Sequence, residues 1–90
     1  MRPTAWEFRN KIAGILNTAR QRGESYVDVE SGKLHTAVAG DPKSHHRLSV
    51  CCDVMKRMMR NGDFILNEPL SDHGASLTIR YAVYDYPLGK

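Results

Sequence analysis

The chain opens with an apolar stripe at helical spacing. Ala5, Phe8, Ile12, Ile15, Leu16 and Ala19 recur every three or four residues as far as Gly23, the spacing that puts them on one face of a helix. Thr4 followed three residues later by Glu7 is a capping box, so the pattern predicts a helix over 5–22. Tyr26 to Val29 then alternates as a short strand does. Ser31 is a suitable N-cap for a second helix over 32–39, which Gly40, Asp41 and Pro42 end, since proline cannot continue the hydrogen-bond ladder.

Beyond that turn the residues divide into two clean faces. Val50, Cys51, Val54, Met55 and Met58 form an apolar stripe, and Ser49, Asp53, Lys56, Arg57 and Arg60 form the opposite one. The pattern predicts a third helix over 50–60, capped by Ser49 and stopped by Asn61-Gly62. The period then changes from helical to twofold. Phe64 and Leu66 alternate with Ile65 and Asn67; Leu77, Ile79, Tyr81 and Val83 alternate with Thr78, Arg80, Ala82 and Tyr84. Two paired strands are expected, joined by a protruding loop over 69–74, with 85–90 as a loose tail. Helix, strand, helix, turn, helix, strand, loop, strand is the order of a winged helix, an α+β fold in which the third helix reads nucleic acid and the last loop is the wing.

Ninety residues leave room for one domain and a thin core. No run approaches the roughly 18 apolar residues of a membrane span, and the first residues lack the apolar stretch of a signal peptide, so a cytoplasmic protein is expected. Cys51 and Cys52 are neighbours that would diverge by about 100° on a helix, which disfavours a disulfide between them and places one on the core side. The net charge of +3 is unevenly spread: Lys43, Arg47, Lys56, Arg57 and Arg60 face one acid, Asp53, between positions 43 and 60, and the remainder of the chain sums to −1. Such clustering is the footprint of a surface that meets phosphate.

Three segments carry a resemblance: SGKLHTAVAG, HHRLSVCCDVMKRMMRNGDFIL and GASLTIRY, together spanning most of residues 31–81. The chain resembles a small winged-helix module of bacterial and phage proteins of restriction or defence systems, where it stands alone or beside HNH-type nuclease domains. The resemblance implies a DNA-related role with no catalysis by the module itself. It departs at the wing, which is basic and glycine-rich in the related proteins; here Glu68 to Gly74 has two acids and no Lys or Arg.

The expected function is therefore non-catalytic DNA binding. Lys43, Arg47, Lys56, Arg57 and Arg60 are candidate phosphate contacts, Ser49 and Asp53 candidates for base edges, and His45, His46 and His73 supplementary contacts that gain charge below about pH 6.5. Five phosphates would give a log-log salt slope of about −4 to −5. Two sharper chemistries fare worse. His35, His45, His46, Cys51 and Cys52 are ligand types for zinc, but no Cys-x-x-Cys or His-x-x-x-His spacing supports a site, and no metal or cofactor is expected. A nucleophilic Cys51 or Cys52 lacks an identifiable oxyanion donor or orienting acid, and the methionines read as core filler. The alternative function is protein interaction, as a homodimer or with a host factor, through Tyr84 and Tyr86, which lie near the end of the last strand.

Overall fold

A computed structural model of the chain describes residues 4–40, 47–70 and 74–84. Three helices, α1 (Ala5–Gln21), α2 (Ser31–Ala39) and α3 (Leu48–Arg57), combine with three strands, β1 (Tyr26–Glu30), β2 (Phe64–Asn67) and β3 (Thr78–Ala82), in the chain order α1-β1-α2-α3-β2-β3. The strands make one antiparallel sheet in the order β1-β3-β2. No helix among the described residues is long and apolar enough to cross a membrane.

The alternating strand positions decide which face of the sheet is covered. Val29, Leu77, Ile79, Tyr81 and Val83 are buried with Phe8, Ile12, Leu16 and Ala19 of α1, Leu34 of α2 and Cys51, Val54 and Met55 of α3 in one core. Tyr26, Asp28, Phe64 and Arg80 occupy the other face. Burying these side chains at about 25 cal/mol per Å² is the main force that holds helices to sheet. Between α3 and the sheet the core holds a polar tie: the Tyr81 hydroxyl donates to the Met55 carbonyl at 2.7 Å.

The start of α1 is as the capping box predicts, with Thr4 Oγ1 accepting from the Glu7 amide and Glu7 Oε1 accepting from the Thr4 amide. Gly40 ends α2 in the left-handed region at φ 77°, where a side chain would be strained. The other helix ends differ from expectation. Ser31 is not the N-cap of α2 but its first residue, because its hydroxyl turns away to donate to the Gly74 carbonyl at 2.8 Å. Ser49 does not cap α3 either. That helix begins at Leu48, and the Nε2 atom of buried His35 accepts the Arg47 amide at 3.2 Å, so an imidazole from α2 serves this end. At the other end α3 stops at Arg57, three residues early, since Asp63 accepts the Arg60 amide and the Arg60 guanidinium donates to the Ala82 carbonyl at 3.0 Å.

Both cysteines are buried, although only one was expected on the core side. Cys52 reaches the carbonyl of Gly74, so the loop that follows β2 covers what would have been an open flank of α3. Phe64 pairs with Arg80 and Ile65 with Ile79, as alternation predicts, but the register slips by one residue at Leu66 before Asn67 meets Thr78.

Candidate nucleic-acid interface

The solvent side of α3 carries Ser49, Asp53 and Arg57, with Lys56 half-exposed beside them and Arg47 just ahead. The helix is fixed from beneath by Leu48, Cys51, Cys52, Val54 and Met55, so these side chains stand on a rigid support. Ser49, Cys52, Asp53 and Lys56 line a shallow hollow of about 300 Å³.

The sequence did not reveal how far this face neutralises itself. Arg57 Nε lies 3.0 Å from Asp53 Oδ2, one helical turn away, and Lys56 Nζ lies 3.2 Å from Glu68 Oε2 across the gap to the β2–β3 loop. Arg60 is no longer on the helix and directs its guanidinium into the sheet. Without Arg60, the described face has Arg47, Lys56 and Arg57 against Asp53 and Glu68, a balance of +1. Exposed pairs of this kind are worth about 0–1 kcal/mol each, so both cations can exchange a carboxylate for a phosphate at little cost. Lys43, His45, His46 and His73 lie outside the described residues.

The loop after β2 is anchored on its return side. Gly74 accepts from the Ser31 hydroxyl and the Cys52 thiol, Ala75 accepts the Gly32 amide at 2.8 Å, and Leu77 accepts the Ser31 amide at 2.8 Å. These bonds join the loop to the start of α2 and to the middle of α3. They also account for the cysteines. Burial, with Cys52 adding to it, pushes the Cys51 thiol up to about 12, and burial likewise raises Cys52. Thiols held protonated and donating to the carbonyls of Ser31 and Gly74 are poor nucleophiles. His35 stacks at a tilt on Phe8 with ring centres 5.6 Å apart. Among the described residues no three His, Cys, Asp or Glu side chains converge as metal ligands.

Two features escaped the sequence reading. One is on the outer face of the sheet, where the Arg80 guanidinium sits 4.1 Å from the centre of the Tyr26 ring and 5.9 Å from that of Phe64 while binding both oxygens of Asp28. Its hydrogen bonds hold the Asp28 carboxyl below the usual carboxylate range. Cross-strand register could have found this group, since Phe64, Arg80 and Asp28 fall in one row. Tyr26 and Phe64 remain half exposed, and Tyr84 is 63% exposed at the end of the sheet. Tyr86 lies outside the described residues. The second feature is on α1, where Arg9, Lys11 and, at the C-cap, Arg22 have no carboxylate within 4 Å among the described residues. Unbalanced charge is therefore not confined to α3, as the sequence tally suggested.

No family model matches the chain, and no curated protein or solved structure shows significant similarity to it.

Proposed function

We propose that the chain is a winged helix that binds duplex DNA without catalysing any reaction, with the solvent face of α3 against the phosphates. The observation that carries this reading is the placement of α3: it packs across α2 and α1, with Ser49, Asp53 and Arg57 exposed on its outer side, Lys56 half-exposed beside them and half-buried Arg47 just ahead of its first turn. The element order and the sheet order β1-β3-β2 are those of a winged helix, and the bacterial and phage modules that the sequence resembles point to the same role. Under this reading the contact is weaker than the charge tally implied. Arg60 is engaged at the Ala82 carbonyl, and among the described residues Arg47, Lys56 and Arg57 leave about three phosphate contacts, which contribute about −2.7 to the log-log salt slope.

The test is fluorescence anisotropy of a random-sequence duplex titrated with the protein at two low salt concentrations. Replacing Lys56 and Arg57 together by Ala should flatten the slope by about 1.8 and weaken binding across all sequences. Equal binding by this variant, with an unchanged melting temperature, would refute the proposal. A second reading, protein interaction through the sheet, is favoured by the half-exposed rings of Tyr26 and Phe64 and by exposed Tyr84. It predicts binding that survives the loss of both α3 charges.

A further inference from the structure

The three helices share a core with one face of the sheet, and the other face keeps its aromatic rings in solvent. Tyr26 and Phe64 are 50% and 51% exposed there, on either side of Arg80. Both oxygens of Asp28 hold the Arg80 guanidinium in place, at 2.8 and 3.1 Å. Rings and ion pair thus form a preorganised surface with little side-chain freedom left to lose on association. Tyrosine, phenylalanine and arginine are the residue types that interfaces collect.

Strand register makes this surface complementary to itself. The outward rows across β1 and β3 are Tyr26 beside Ala82, Asp28 beside Arg80 and Glu30 beside Thr78. A twofold axis in the plane of the interface, running along the strands between β1 and β3, exchanges these two strands. Asp28 then faces the partner's Arg80, Tyr26 the partner's Ala82 and Glu30 the partner's Thr78. No acid meets an acid and no ring meets a ring, whereas an axis along β3 would set Arg80 against its own counterpart. Charge selects the same occupant. α1 carries Arg9, Lys11 and Arg22 with no carboxylate within 4 Å among the described residues, and α3 has an excess of one cation, so copies meeting through the helices would bring like charges together. The sheet face is balanced, because Arg80 binds Asp28 and Lys33 lies 3.9 Å from Glu30.

We infer that the chain pairs with a second copy of itself through the outer face of the sheet, about this axis, so that the two sheets stack and each carboxylate of Asp28 is shared between two guanidinium groups. This names the occupant for the sheet-face reading above, on which it rests, and it is independent of DNA binding, since α3 lies in the other layer. The face is small: three strands of four or five residues cover about 17 by 14 Å, which places the contact at the weak end of protein interfaces and the equilibrium at high micromolar concentration.

The test is sedimentation of the full chain from about 10 µM to about 1 mM, where a weak interface becomes populated. The mean mass should rise from the 10.2 kDa of one chain toward twice that value. Asp28→Lys and Arg80→Glu each set like charges against one another across the axis, and each alone should weaken association by about tenfold or more. Mixed in equal amounts, these two variants should form a heterodimer about as readily as the parent pairs with itself, because both crossed contacts are then between opposite charges. Mixing would restore nothing if the pair mattered only within one copy. Circular dichroism checks that both variants stay folded, and in ¹⁵N spectra of the parent rising concentration should move amides of β1 and β3 and leave those of α3 in place. A mass that stays at 10.2 kDa throughout, single variants that associate as the parent does, or a mixture that stays monomeric would overturn the inference. A monomeric parent that still bound duplex DNA would sink this inference alone, and one that captured another protein through Tyr26 and Phe64 would assign the face to a different partner.

Discussion

Two glycines on helices should respond to the same substitution with opposite signs. An alanine at Gly32 would place its Cβ 2.9 Å from the Ala75 carbonyl oxygen and 3.1 Å from the Ala75 Cβ. Ordinary contact begins at about 3.4 Å, so the backbone of Ala75 must retreat by about half an ångström. That retreat strains the Gly32 amide bond to the same oxygen and, next to it, the bond from the Ser31 hydroxyl to Gly74. Each such bond is worth about 1 kcal/mol net, and the helical gain of alanine over glycine, about 1 kcal/mol at most, is reduced near a helix start. Gly32→Ala is therefore expected to destabilise by about 1 kcal/mol, lowering the melting temperature by roughly 4–8 °C. Gly14→Ala, in open space on α1, should raise it by a few degrees. A double-mutant cycle adds a sharper reading: Ser31→Ala should cost about 1 kcal/mol in the parent and clearly less beside Gly32→Ala, since both act on one attachment. Thermal melts by circular dichroism measure the parent and the four variants. If Gly32→Ala stabilised as Gly14→Ala does, the loop would not be held against α2 as described.

Three further outcomes follow from the core. Val54→Asp should leave the chain unfolded, because an unpaired carboxylate at this buried site costs several kcal/mol out of a total of about 5–13, whereas Arg57→Ala should change the melting temperature by less than about 3 °C; equal effects would mean the faces of α3 are misassigned. Tyr81→Phe should cost about 1–3 kcal/mol in urea unfolding, since it leaves the Met55 carbonyl near the end of α3 without its partner; a neutral result would place that hydroxyl elsewhere. Cys51 titrates at about 12 when folded and near its ordinary value of 9.0 when unfolded, so the unfolded state holds fewer protons between those values and stability declines as pH rises from about 9; the buried Tyr81 phenol, also raised, acts in the same direction. Urea midpoints that stay level between pH 8 and pH 11 would contradict the burial of both groups.

Periodicity made the architecture legible. The stripes of α1 and α3 and the alternation of β3 are each several residues long, and every one of their core positions is buried except the half-buried Ile15, Val50 and Met58 and the exposed Ala5. Local rules failed where a distant residue supplied the hydrogen bond. Ser31 and Ser49 are sound caps on local grounds, yet Gly74 claims the first hydroxyl and His35 serves the helix that the second was to start. The same competition shortened α3, because Asp63 and Ala82 hold Arg60 from a distance of three and twenty-two residues in sequence. Charge was hardest to read. The Asp53–Arg57 pair has the i, i+4 spacing that sequence shows, whereas Lys56 meets Glu68 only because the β2–β3 loop folds back on α3. The strand order β1-β3-β2 was not legible either, since periodicity shows that strands exist and not which of them are neighbours.

The most direct test of the account is the salt dependence of duplex binding after the α3 cations are released from their own acids. Asp53→Asn with Glu68→Gln removes both carboxylates while leaving Arg47, Lys56 and Arg57 in place. If this face meets phosphate, that variant should bind duplex DNA more tightly than the parent at every salt concentration, with a log-log salt slope at least as steep as the parent's. A parent that fails to bind at low salt, or a variant that binds no more tightly than the parent, would contradict the assignment of α3 as the nucleic-acid surface.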